Sequence, residues 1–202
     1  MSLGPDHNAC MADERTERAI DIIVDGFMDN PVLSWVFQDE ATRADGIRGY
    51  VEVFVAAYGD RGVLDIDEGG EGAALWAEPG TPQLEGEHAA ALVELLREFN
   101  GERTNLVLST LGVIKPPPER HWYLNVIAAR RGARSRGIGA RLLEPFLARA
   151  DREGVGIYLE SSNPRNLSFY QRYDFENYGE AIVLPGAGPL LQPMWRRAPS
   201  DR

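Results

Sequence analysis

The chain has 202 residues, 44% hydrophobic and 26% charged, an ordinary globular composition that excludes collagen-like, fibrous and disordered readings. Its net charge of −10, from 31 acids against 21 bases, disfavours nucleic acid or an anionic membrane as the default partner. The lone Cys10 excludes an intrachain disulfide, and the scattered His7, His88 and His121 draw no metal cluster.

In chain order, residues 1–14 lack periodicity and are expected to form a flexible N-terminus. They are polar and acidic, unlike a signal peptide. No apolar run approaches the roughly 20 residues of a membrane span, so a cytoplasmic protein is expected. Residues 15–202 read as a single domain. Ile20, Ile23, Val24 and Phe27 recur at helical spacing until Asn30-Pro31 interrupts. Residues 32–37 are a short apolar, aromatic stretch. A second helix follows through Ile47, Val51, Phe54 and Val55. Residues 63–66 and 73–76 read as a hairpin around Gly69-Gly70. Residues 89–99 are helical, with Leu92, Leu95, Leu96 and Phe99 on one stripe, and residues 106–111 suggest another short helix. Lys115 and three prolines then form a stiff linker.

The C-terminal part is the more informative. His121–Ala129 predicts a strand apolar on both faces, hence central in a sheet. A glycine-containing loop at 134–139 leads into a helix over 139–153 with Leu142, Leu143, Phe146 and Leu147 buried, ended by Gly154. A strand follows over 155–161. Asn163 caps a helix with Pro164 at its first position, extending through Tyr173. Residues 180–184 and 191–195 close the chain as strands. The order of strands and helices predicts an α+β domain of layered α/β type.

Charge is unevenly placed. Residues 60–100 carry ten acids against two arginines, whereas residues 130–141 carry five arginines and no acid. Within that basic window a buried strand feeds a loop, and Gly137 and Gly139 let backbone approach a ligand. The loop feeds a helix whose first amides lack partners and whose dipole favours an anion. Arg134 and Arg136 add charge. This describes a pyrophosphate cradle. It is neither the dinucleotide fingerprint, since Leu142 stands where a third glycine is needed, nor the nucleotide P-loop, which needs Gly-Lys-Ser/Thr.

The run Arg134-Ser135-Arg136-Gly137-Ile138-Gly139, the strand entry His121-Trp122-Tyr123-Leu124, and Tyr158 through Asn166 followed by Phe169-Tyr170 and Phe175 together resemble the GCN5-related N-acetyltransferase (GNAT) superfamily. The segment from Leu159 to Tyr170 is closest in style to the puromycin N-acetyltransferases. The resemblance implies a central, mostly antiparallel twisted sheet with helices on both faces, and an acetyl-CoA cofactor. It divides the domain into an acceptor side, residues 15–118, and an acetyl-CoA core, residues 119–202. It implies a small-molecule amine acceptor, no nucleic-acid or membrane partner, and allows a homodimer. Ser135, Arg131 and Asp174 depart from the superfamily's usual Gly, Pro and Gly. Ser135 and Asp174 fit without strain if their φ is negative, or at modest cost if positive. The superfamily's usual first strand is not visible before Arg15.

On the resemblance, the backbone of Ser135, Arg136, Gly137, Ile138, Gly139 and Ala140, with Arg134, holds the pyrophosphate. Ile127, Ala128 and Ala129 pair with the pantetheine arm, and an amide near Ile127 polarises the carbonyl. Tyr170 matches the general acid, with core packing beside Phe169 as its alternative. Asn166, one turn earlier, contacts the cofactor or merely starts a helix. Glu160, in an otherwise apolar strand, is a general base or a structural carboxylate. His121 reads as structural. Trp35, Trp76, Trp122 and Tyr123 wall an acceptor pocket or belong to the core, and Trp35, Trp76 and Tyr123 are the candidates for substrate contact. The acid-rich 60–98 region either draws a cationic amine or is a solvated face. Two functions follow: an N-acetyltransferase, or a non-catalytic acyl-CoA-binding module on the same fold.

Overall fold

A computed structural model describes residues 5–82 and 84–201. Strands β1 (Gly62–Ile66) and β2 (Gly72–Ala77) form the antiparallel hairpin that the glycine pair predicts. Gly70 takes φ +67°, a turn conformation that favours glycine. β2 pairs antiparallel with β3 (His121–Ala129) and β3 pairs parallel with β4 (Gly156–Ser161). β5 (Glu176–Asn177), β6 (Ile182–Val183) and β7 (Leu190–Arg196) complete the set. The sheet order is β1-β2-β3-β4-β7-β5, with β6 on β7 off the path. A parallel pair needs a crossover, and α6 (Ile138–Glu153) supplies it.

Helices cover both faces of the sheet. One face carries α1 (Pro5–Phe27), α2 (Pro31–Val36), α3 (Arg43–Tyr58), α4 (Gly86–Asn100) and α5 (Thr104–Leu111); the other carries α6 and α7 (Leu167–Gln171). The alternation of β2 feeds both cores: Ala73 and Leu75 join the first, Ala74 and Trp76 the second. In β3 the alternation changes hands. Trp122 and Leu124 face the α6 core, but Val126 and Ala128 face the α1–α3 core. The cause is a register shift: Leu75 pairs with Val126 and Trp76 with Leu124, so Asn125 is an extra residue in the strand. Such a bulge re-aims the side chains that follow it.

Several sequence expectations change. The first helix begins at Pro5, inside the N-terminus expected to be flexible, whose residues 1–4 lie outside the described residues. The apolar stretch 32–37 is mostly helix α2, because Asn30 caps it: its Oδ1 accepts from the amides of Val32 and Leu33. Asn163 caps a 3₁₀ turn, Pro164–Asn166, and the α-helix proper is only Leu167–Gln171, short of Tyr173. The expected strand at 180–184 shrinks to Ile182–Val183, and β5 was not foreseen. Among the described residues, no strand precedes α1.

Candidate active site

The residue pairing of β3 with β4 stops at Leu124–Leu159. Beyond it, residues 126–129 still pair with β2, but their other edge is left without β4. A cavity of ≈ 1530 Å³ opens where the strands part. One wall is residues 126–129 of β3 and the start of α6; another is Glu160, Ser162 and residues 163–166; the remainder comes from α2, α3, α4, α5 and the approach to β7. Asn30 ties two of these walls together, donating from Nδ2 to Ser162 Oγ at 2.7 Å.

Gly137 is the N-cap of α6 at φ +75° and offers no side-chain acceptor, so the first-turn amides have no partner within the helix. Gly139 is held close to Phe169: a Cβ there would sit 3.2 Å from the ring. Ser135 and Asp174 both take φ +64°, so each stands in the left-handed region at modest strain, less for aspartate than for serine.

The arginines of this window are mostly engaged by carboxylates. Arg134 donates to both oxygens of Asp29 and to the Gly26 carbonyl. Arg131 pairs with Asp25. Arg141 donates to Asp67 Oδ2 at 3.0 Å and to the Arg136 carbonyl. Asp67 is buried at the β1–β2 turn, where it also accepts from the amides of Glu71 and Gly72. Burial alone would raise its pKa, but Arg141 and these amides hold it below the usual aspartate value. The acids thus anchor the loop from α1 and the hairpin, and Arg136, bonded to the Gly132 carbonyl, remains exposed at its tip.

Glu160 stands at the opposite wall. Tyr123 donates to its Oε2 at 2.7 Å, while Oε1 makes no hydrogen bond among the described residues. Burial pushes this carboxyl up to about 7, against the opposing pull of the Tyr123 and Tyr158 hydroxyls. Tyr170 is 6% exposed and lines the cavity; burial raises its hydroxyl pKa well above the ordinary value, so it stays protonated. A buried carboxyl with a raised pKa and a protonated phenol thus line one cavity.

The family model for the acetyltransferase (GNAT) family matches residues 68–175, more than half of the chain. The chain belongs to that family. It is 28% identical over 193 residues to an uncharacterized N-acetyltransferase of Schizosaccharomyces pombe, covering 86% of this chain and 77% of that one. Its fold is similar to that of the histone acetyltransferase HPA2 and related acetyltransferase from Corynebacterium glutamicum, with TM-score 0.68, 24% identity and 91% of both chains covered. It is also similar to PH1933 from Pyrococcus horikoshii, with TM-score 0.53, 12% identity and coverage of 89% and 90%.

In this GNAT chain the cavity gathers Ile127, Ala128, Ala129, Arg134, Ser135, Gly137, Ile138, Gly139, Ala140, Glu160, Asn166, Tyr170 and Tyr123 from the residues singled out in sequence. Arg136, at the tip of the loop, is not on the wall. The tryptophans do not join them. Trp76 is fully buried and stacked 4.2 Å from Phe146 on the α6 face. Trp122 donates to Glu153 Oε2 under the Arg149 guanidinium. Trp35 donates to the Pro185 carbonyl and packs against Arg103. All three are core residues, because strand and helix periodicity turn them away from the gap. The acids of 60–98 do not line the cavity either. His121 is at the outer end of β3, its Nδ1 2.6 Å from the Glu119 carbonyl, and burial lowers its pKa.

Tyr50 and Asn125 line the cavity and were missed. Asn125 carried a faint signal, a polar residue amid an apolar strand. Tyr50 carried none, since it merges with the buried stripe of α3. Among the described residues no helix is long and apolar enough to cross a membrane, and no group of three His, Cys, Asp or Glu is placed to hold a metal.

Proposed function

We propose that the protein transfers the acetyl group of acetyl-CoA directly to a primary amine of a small molecule. The observation that carries this is the parting of β3 from β4 beside Glu160 and Tyr170, with the glycine loop before α6 at one end of the same cavity. The residues fit the cofactor: the uncapped first turn at Gly137 suits a pyrophosphate, and the free edge of residues 126–129 suits an arm that pairs as an added strand. In this reading Ile127, Ala128 and Ala129 hold the pantetheine arm, Ser135 to Ala140 the pyrophosphate, and Asn166 contributes from the far wall. Arg134 acts through Asp29 as an anchor of the loop.

Acetyl-CoA supplies the acetyl thioester, whose C–S bond breaks as the amide C–N bond forms. Glu160 accepts the proton that the amine loses, which its raised pKa suits near neutrality. An amide of β3 near Ile127 stabilises the carbonyl oxygen as it gains charge. Tyr170 delivers its proton to the departing sulfur and is restored from solvent. An aminonucleoside or other antibiotic amine belongs in this class, supported by the likeness of residues 159–170 to puromycin N-acetyltransferases.

The test is purified protein with acetyl-CoA and an amine panel, reading free thiol, beside calorimetric binding of CoA. Thiol release dependent on amine is expected. Tight CoA binding without turnover on any amine would instead favour the non-catalytic acyl-CoA module.

A further inference from the structure

The half of the cavity away from the phosphate loop is walled by Phe54, Leu92, Leu96, Leu108, Leu111 and Ile114. Leu92, Leu108, Leu111 and Ile114 are only half-buried, so they give apolar surface to the cavity. Leu190, the first residue of β7, lines it while 40% exposed. Among the described residues, charge on the cavity wall comes from five side chains. Asp29 and Arg134 are paired at the loop, and Arg165 and Arg172 lie beside α7. The fifth, Glu160, is the only one facing the apolar half. The bulge residue Asn125 follows Leu124 and Glu160 follows its partner Leu159, so the two stand where the strands begin to part. Among the described residues neither amide atom of Asn125 is within hydrogen-bond geometry of a partner, nor is Glu160 Oε1, although the Tyr50 and Tyr58 hydroxyls lie close to Asn125 and the Tyr158 hydroxyl close to Glu160. Buried polar atoms without partners are costly and mark a place for a polar ligand group.

We propose that the acceptor is a primary amine bearing a single cationic nitrogen on an uncharged apolar body, with the nitrogen at Glu160 and Asn125 and the body against the leucine-rich wall. This rests on the acetyl-transfer reading above. An apolar wall favours each buried methylene by about fourfold in affinity. A second ammonium in that half would lose its water without gaining a partner, which selects against polyamines and other multiply charged acceptors.

The experiment compares kcat/KM for butylamine, hexylamine and 1,6-diaminohexane, and measures calorimetric binding of all three in buffer containing CoA. Hexylamine should exceed butylamine by roughly tenfold or more, following about fourfold per methylene, and the diamine should fall at least about tenfold below hexylamine. Leu92→Glu, checked for folding by circular dichroism, should narrow the gap between hexylamine and the diamine. A flat chain-length series, a diamine equal to hexylamine, or no binding and no turnover of hexylamine overturns the proposal. Chain-length-dependent binding without turnover upholds the proposal for the pocket and removes the catalytic reading. Turnover that prefers the diamine keeps the catalytic reading and removes the apolar-acceptor proposal.

Discussion

The Tyr123 hydroxyl donates to Glu160 Oε2 at 2.7 Å across the parallel strands β3 and β4. The register makes this contact: Tyr123 pairs with Tyr158, and Glu160 lies two residues further on the same face. One carboxylate oxygen is thereby fixed, and the other is buried without a hydrogen bond among the described residues.

Because burial raises Glu160 to about 7, kcat/KM should climb with pH through a limb near that value and flatten above it. Glu160→Gln should remove the limb and lower kcat by about 10²-fold or more. The sign for stability is opposite. A carboxyl whose folded pKa exceeds the unfolded value of about 4.3 favours the fold while protonated, and that stability is lost as pH rises from about 4.3 to about 7. Chemical denaturation across this window should show a falling slope in the wild type that Glu160→Gln reduces. A pH–rate profile identical in the two proteins removes Glu160 from the proton transfer.

Tyr170→Phe keeps the ring among Phe169 and Phe175 and deletes only the hydroxyl. The expected result is a kcat lower by about 10²-fold or more, with CoA affinity by calorimetry within about twofold. A kcat within threefold of wild type would sink the acid role.

At Gly137, φ +75° with only Arg141 Nη1 near, 3.7 Å from where a Cβ would sit, sets backbone strain apart from steric clash. Valine there must adopt a conformation that β-branched residues avoid, at a cost of about 1–3 kcal/mol. CoA affinity should fall about tenfold in Gly137→Val, and Gly137→Asn, which tolerates positive φ, should lose less. Equal affinities for all three proteins would refute the cradle.

Asp67 joins the hairpin turn to α6 through Arg141. Its lowered pKa means that its contribution is complete above the unfolded aspartate value of about 3.9 and is lost as pH falls through the lower folded value. Asp67→Asn should therefore destabilise by about 1–3 kcal/mol at pH 7, with the difference shrinking in acid. Denaturant midpoints at pH 7 and pH 3 decide it; a difference that grows in acid contradicts the assignment.

Trp76, fully buried against Phe146, tests the boundary between core and site. Trp76→Ala should cost about 3–5 kcal/mol, while Trp76→Phe should fold and leave the acceptor KM within about twofold. A large KM change in the phenylalanine variant would return this residue to the acceptor pocket.

Local chemistry determined much of the fold in advance. Glycine turns, helical stripes and the double-sided apolarity of residues 121–129 depend on neighbours in sequence, so the hairpin, α3, α4, β3, α6 and β4 were legible. So was the loop, whose Gly137 and uncapped helix start are local properties. What the sequence could not decide is where a periodic side chain points once strands are stacked. Trp35, Trp76 and Trp122 were candidates for a pocket although such aromatics are more often core, and packing assigns them to the core. The basic window read as a free anion site, but Asp25, Asp29 and Asp67, distant in sequence, engage three of its arginines. The bulge at Asn125 shifts register by one residue and sends Val126 and Ala128 to the opposite face from Trp122 and Leu124. Tertiary structure alone decided the apolar hollow facing Glu160, because it arises from the packing of segments far apart in the chain, whereas the parting of β3 from β4 was already implied by the family resemblance.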